Sequence, residues 1–176
     1  MERPATAAFL GTSLDGFIAL PDGGLDWLSR GPGPAEDHGF DAFLASVDTI
    51  LLGRATWDVV RAFPSWPYGE KPVAVLTHRP EAGRHGERCL AGPPAEVLAA
   101  LGAGGARRVY VDRGAVVSQF LAAGLLDELT ISVLPVVLGA GIPLFQGAGP
   151  ERWLRLASCR PFAGGMVQLR YLASAP

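Results

Sequence analysis

Along the chain, short unbroken apolar runs alternate with stretches in which apolar residues recur every third or fourth position. The first pattern predicts buried strands and the second predicts helices. Ala5 to Leu10 is such a run and predicts a first strand, which passes through Gly11-Thr12-Ser13 and Leu14-Asp15-Gly16-Phe17-Ile18-Ala19 into a long loop. Pro21, Gly23, Gly24, Gly31, Pro32, Gly33 and Pro34 break that loop too often for regular structure. From Ala35 the spacing changes, and Phe40, Phe43, Leu44 and Val47 fall on one face of a helix. Pro34, Glu36 and Asp37 suit its first turn, because a helix start leaves its first N–H groups unused and favours negative charge.

Thr49 to Leu52 is a second apolar run, ends in Gly53, and feeds a short helix over Arg54 to Arg61. Pro72 to Leu76 repeats the strand signal, Ala95 to Leu101 the helix signal, Val109 to Val111 the strand signal, and Val116 through Leu125 the helix signal. Such alternation predicts a largely parallel sheet covered on both faces. The last third differs. Glu128 to Val133 and Val136 to Leu138 read as strands broken by Pro135 and followed by Gly139 and Gly141. Trp153 to Cys159 and Met166 to Leu172 predict an antiparallel hairpin around Pro161 and Gly164-Gly165. The predicted fold class is α/β in three α/β/α layers, with a mixed, mainly parallel sheet and an antiparallel C-terminal hairpin, as one domain over residues 1–176.

Composition narrows the function. A chain of 176 residues with 49% hydrophobic and 18% charged residues buries a core and does not behave as a disordered polymer. Fifteen basic residues against seventeen acidic ones, clustered no further than Arg107-Arg108, argue against a groove that tracks nucleic-acid phosphates. No run of eighteen apolar residues predicts a membrane span, and Met1 to Phe9 lack the charged-then-apolar pattern of a secretory signal. Cys89 and Cys159 lack metal-type spacing and fit reduced thiols, so a cytoplasmic location is expected. His38, His78 and His85 have no ligand spacing, and no bound metal is expected. The dinucleotide, P-loop, nucleophile-elbow and zincin motifs are all missing.

What is present is a set of polar and glycine-bearing turns at the carboxyl ends of the predicted parallel strands, where open α/β sheets bind ligands. They are Gly53-Arg54-Ala55-Thr56, Thr77-His78-Arg79 and Asp112-Arg113-Gly114-Ala115. Backbone N–H groups at a helix start can receive a phosphate, and arginines can clamp further oxygens. The plainer alternative makes Arg54 and Arg79 solvated loop charges.

Gly53-Arg54-Ala55-Thr56-Trp57, Asp15 to Ala19, and the run from Gly124 to Leu129 through Pro135, Leu138-Gly139 and Pro143-Leu144-Phe145 resemble the dihydrofolate reductase-like superfamily. Within it the chain is most similar to the reductase domain of the bifunctional riboflavin-biosynthesis deaminase-reductase and its stand-alone relatives. The resemblance keeps the motif order over nearly the whole chain, and it implies NADPH as hydride donor. It places Gly53, Arg54 and Thr56 on the pyrophosphate and 2′-phosphate side, with Thr77 and Arg79 around the adenosine 2′-phosphate. It also places Asp112, Arg113, Gly114, Ala115, Val116 and Val117 at the pyrophosphate, and Gly11, Ile18 and Ala19 at the nicotinamide ribose.

One departure stands out. The family usually has two adjacent glycines where this chain reads Arg113-Gly114. A side chain there either crowds the pyrophosphate or adds a phosphate contact. Reduction of a C=N bond also needs a proton, and related reductases carry the acid on the first helix. Asp37 is the candidate, with Asp41 next; each is also explained as an ordinary charge of a helix start. Trp27 is a candidate substrate contact or a core anchor, and Pro135 and Gly141 are candidates for one wall of the substrate pocket or part of a dimer contact. Two functions fit: an NADPH-dependent reductase of a pteridine- or pyrimidine-like substrate, or a non-catalytic nucleotide-binding or assembly domain that retains the fold. A homodimer is expected, with the apolar stretch Leu129 to Leu138 in the contact.

Overall fold

The structure is a computed structural model and describes residues 3–31, 37–147 and 149–173. Strand β1 (Ala5–Thr12) is followed by β2 (Phe17–Ala19), a single 3-10 turn (Asp26–Ser29), helix α1 (Phe40–Ser46), β3 (Thr49–Gly53) and α2 (Arg54–Val60). Then come β4 (Val73–Leu76), β5 (Arg88–Leu90), α3 (Pro94–Ala103), β6 (Arg108–Asp112) and α4 (Gly114–Ala122). The chain ends with β7 (Glu128–Val133), β8 (Ile142–Pro143), β9 (Leu154–Pro161) and β10 (Val167–Ala173). Eight strands form one sheet in the order β5-β4-β3-β6-β1-β7-β10-β9, parallel from β5 to β7 and antiparallel at β10 and β9. A small second sheet pairs β2 with β8.

Period-two alternation sorts the strand residues into two cores. Ala8, Leu10, Leu51, Val109 and Val111 pack with Val97, Leu98 and Leu101 of α3 and Val117, Phe120 and Leu121 of α4. Ala7, Ile50, Leu52 and Tyr110 face the other way, onto Phe43 of α1 and Trp57 and Val60 of α2. Phe120 is fully buried, a contribution of about 1.5 to 3 kcal/mol. Strand β1 therefore feeds a helix on one face while its parallel neighbour β6 feeds α4 on the other, and a crevice opens between their carboxyl ends.

The three-layer reading holds, with corrections to its elements. Helix α1 starts at Phe40, not Ala35, because Gly39 at φ +80° lies in the left-handed region and stops the helix there. Pro34 and Glu36 lie outside the described residues. Val136 to Leu138 form no strand. Pro135 has no N–H to offer, and Asp15 accepts the N–H groups of Leu138 (3.1 Å) and Gly139 (2.8 Å), which removes them from any ladder. Helix α4 ends at Ala122, short of Leu125, because Gly124 at φ +70° turns the chain and the Leu125 N–H closes back onto the Phe120 carbonyl at 2.8 Å. Strands β2, β5 and β8 are too short to leave a pattern in the sequence.

Of the stretch Leu129 to Leu138 expected in a dimer contact, Val137 is exposed while the strand residues before it lie within the sheet. Strand β7 lies inside the sheet, paired with β1 on one side and β10 on the other, and Leu129 and Leu134 are buried. The outer edge at this end is β9, whose residues after Leu154 are all exposed. No helix among the described residues is long and apolar enough to cross a membrane.

Candidate active site

A cleft of about 350 Å³ occupies the crevice between β1 and β6. Phe9, Leu10 and Gly11 of β1 and Tyr110 and Asp112 of β6 form its base, Ile18, Leu25 and Leu28 one wall, and Phe40, Phe63, Pro67 and Tyr68 the other. The walls are aromatic for a local reason. Phe9 packs against Phe40 and Phe43 with ring centroids 5.5 and 5.1 Å apart, and Tyr110 meets Phe43 edge-on at 5.0 Å. Flat rings on three elements hold the opening in shape and present π faces to whatever enters.

Among the described residues, Asp112 is the only carboxyl group lining this cleft. It is buried, and it shares a strand face with Tyr110 because the two are two residues apart on β6. Tyr110 Oη lies 2.8 Å from Asp112 Oδ1, and Tyr68 Oη lies 3.3 Å from Oδ2. Tyr110 Oη also lies 3.2 Å from the Phe9 carbonyl. One phenolic proton cannot be donated to both the carboxyl group and the carbonyl. A protonated Asp112 accommodates the three hydroxyl contacts: its Oδ1–H donates to Tyr110, Tyr110 donates to Phe9, and Tyr68 donates to Oδ2. Burial agrees with this pattern, since desolvation raises the Asp112 pKa above its ordinary value despite the opposing effects of the Arg113 charge and the tyrosine hydrogen bonds. Burial and the neighbouring Asp112 likewise push Tyr68 and Tyr110 upward.

Helix α4 begins beside the cleft. Among the described residues, the N–H groups of Gly114 and Ala115 have no acceptor. At Gly114 a Cβ would stand 2.5 Å from Ile18 Cδ1, so a larger residue there requires the tip of the Ile18 side chain to move. Arg113 caps the helix at φ +66°, ψ +147° and lines the cleft.

The sequence-derived residues divide. Gly11, Ile18, Asp112 and Arg113 line the cleft, and Gly114 and Ala115 adjoin it at the start of α4. Asp112 does so as a buried carboxyl group bonded to two tyrosines. Val116 and Val117 are buried in the α3/α4 core, so their side chains are unavailable to a ligand. Ala19 is buried in β2, and Gly53 starts α2 with Val116 3.0 Å from where its Cβ would be. Thr56 is buried in α2. Thr77 is buried too, and its hydroxyl accepts the Arg79 N–H at 3.1 Å. Arg54 is held by Asp58 (2.9 Å), Glu81 (2.6 Å) and the Arg79 carbonyl (3.1 Å). Arg79 itself is exposed.

The two carboxylates expected as the acid stand at the surface. Asp37 is exposed, precedes α1, and spends Oδ1 on the Gly39 N–H at 2.7 Å; it does not line the cleft. Asp41 sits exposed on the first turn of α1. Trp27 is a core anchor among Leu134, Phe162 and Met166, away from the cleft lining. Pro135 is exposed, and Gly141 backs closely onto Ala19 and Phe17; neither lines the cleft. Sequence reasoning missed Phe9, Phe63, Tyr68 and Tyr110. The strand Val109-Tyr110-Val111-Asp112 did carry a signal, since its alternation sets Tyr110 and Asp112 on one face. Tyr68 comes from a loop and left none.

Comparison with known proteins matches these features to a family. The family model described as the RibD C-terminal domain matches residues 4–168. The Bacillus subtilis protein YwjB is 37% identical over 175 residues, covering 98% of this chain and 99% of its own. A solved structure of a putative riboflavin biosynthesis protein from Shewanella sp. PV-4 is 34% identical, covers 97% of this chain and 99% of its own, and superposes with a TM-score of 0.89. The Enterococcus faecalis dihydrofolate reductase, solved in complex with NADP(H), shares the fold with a TM-score of 0.68 at 18% identity and 97% coverage of both chains.

Proposed function

Because this chain belongs to the RibD C-terminal domain family, we propose that it is an NADPH-dependent reductase of a small, flat heteroaromatic substrate of pteridine or pyrimidine type. The bond reduced is C=N or C=O. The observation that carries this reading is the aromatic-walled cleft with one buried, hydroxyl-bonded carboxyl group at its base and free helix N–H groups at its rim.

The chain's residues fit the cofactor. Gly114 and Ala115 offer two unpaired N–H groups at the positive end of a nine-residue helix, an arrangement suited to a diphosphate. Arg79, with Arg54 nearby through its hydrogen bond to the Arg79 carbonyl, supplies positive charge for a 2′-phosphate at the neighbouring turn. NADPH, when bound, supplies the hydride. The protein's own part is to bind the flat acceptor between aromatic faces, exclude water, and hold a proton at Asp112. Asp112 Oδ1–H passes its proton to Tyr110 while the Tyr110 hydroxyl proton turns from the Phe9 carbonyl to the acceptor nitrogen or oxygen, neutralising the charge that hydride addition leaves, and Tyr68 stays as donor to Oδ2. Asp112 replaces Asp37 as the proposed proton source.

The test is a titration of protein into NADPH and into NADH, followed by cofactor fluorescence. Tighter binding of NADPH is expected, since each charge-assisted hydrogen bond to the extra phosphate is worth about 1.5 to 3 kcal/mol. Equal affinities would remove the case for a phosphate-reading site. We also propose a homodimer, with the exposed edge strand β9 in the contact in place of β7.

A further inference from the structure

Arg113 is the only non-glycine residue among those described with a positive φ. At φ +66°, ψ +147° it occupies a region that L residues avoid. Among the described residues the Arg113 guanidinium makes no ion pair and no hydrogen bond. Arg113 is half-buried and lines the same cleft as Asp112, Tyr110, Phe9 and Phe40. Its charge is felt at Asp112, Tyr68 and Tyr110. The cleft is otherwise apolar or phenolic, and its one carboxyl group is already committed to the two tyrosines.

We propose that Arg113 is a specificity-determining residue that selects substrates carrying an anionic substituent, a carboxylate or phosphate, on the flat ring. An unpaired guanidinium on an aromatic rim matches that chemistry, since its planar fork pairs with two oxygens of one anion while the ring stacks below. The neutral form of Asp112 is compatible, because it adds no repelling charge at the base. This inference rests on the proposed reductase reading for the ring, but its test reads charge selection without turnover.

The probes are pterin-6-carboxylate and its neutral counterpart 6-hydroxymethylpterin, titrated by pterin fluorescence into the wild-type protein, Arg113→Gly and Arg113→Lys. Wild type is expected to bind the carboxylate about tenfold or more tighter, with a preference that weakens as salt is raised. Arg113→Gly erases the preference while its melting temperature holds or rises, since glycine relieves the backbone strain. Arg113→Lys keeps part of the preference. NADPH affinity, measured in parallel, changes by less than about threefold in Arg113→Gly. Binding of neither pterin, equal binding of both by wild type, or a preference that survives Arg113→Gly overturns the proposal. A tenfold loss of NADPH affinity in Arg113→Gly also overturns it, because the guanidinium is then a diphosphate ligand. Failure of wild type to bind NADPH while the carboxylate preference appears and vanishes as described refutes the reductase reading and leaves the anion site standing.

Discussion

Replacing Asp112 by asparagine tests whether the base of the cleft holds a proton. The amide is nearly isosteric with the carboxylic acid and reproduces its hydrogen-bond pattern. Its Nδ2 can donate to Tyr110, leaving Tyr110 free to donate to the Phe9 carbonyl, while its Oδ1 accepts from Tyr68. The fold should therefore tolerate the change at neutral pH to within about 1 kcal/mol, the worth of an ordinary hydrogen bond. The pH dependence should not be conserved. In the native protein the Asp112 pKa is raised, chiefly by desolvation, so the folded state holds this proton more tightly than the unfolded chain does. The stability this confers is complete below the unfolded carboxyl value of about 3.9 and is lost as pH rises through the higher native value. Each unit of upward shift corresponds to about 1.4 kcal/mol lost on the alkaline side. Asparagine cannot ionise, so this component of the loss should vanish from the variant. Urea unfolding of both proteins between pH 4 and 8 measures the difference, and NADPH consumption with a turned-over substrate should fall by about 10² to 10⁴. Parallel stability curves would refute the assignment of a buried neutral acid. So would a loss above about 3 kcal/mol at pH 7, which would mean that an ionised carboxylate bonded to two hydroxyls holds the fold together.

Glu128 provides the opposite case. It accepts from Arg170 (2.7 and 2.9 Å) and Arg108 (3.0 Å), and its pKa is lowered, first of all by the Arg170 hydrogen bond. Its contribution is therefore present above the unfolded carboxylate value of about 4.3 and is lost as pH falls through the lower native value. Glu128→Gln should cost about 1 to 3 kcal/mol at pH 7 by urea unfolding, reduced by the partial exposure of both arginines, and progressively less below pH 4. In light scattering at micromolar concentration, a mass near twice 18.4 kDa is expected for the homodimer, and a charged substitution at Leu156 on the exposed edge strand should lower it.

The order of strands and helices was legible because apolar periodicity is a local property. Ile50-Leu51-Leu52 and Val109-Tyr110-Val111 must be buried on both faces wherever they sit, and the glycine-bearing turns after them mark the edge where ligands bind. Membership of the reductase family was legible for the same reason, since its motifs are turns held in fixed chain order. Which carboxyl group lies buried in the cleft was not. Asp37 and Asp112 are equally plain carboxylates in the sequence, and what separates them is solvation. Asp37 stands at the surface and bonds to its own backbone, while Asp112 is enclosed by Tyr68 and Tyr110, the former brought in from 44 residues away. Burial depends on which distant elements close over a residue, so only the tertiary structure decides which carboxyl group has its pKa raised by desolvation. Arg113 shows the same division. The sequence marks it as a side chain where a glycine is usual, but only the fold turns its unpaired charge into the wall of an aromatic cleft.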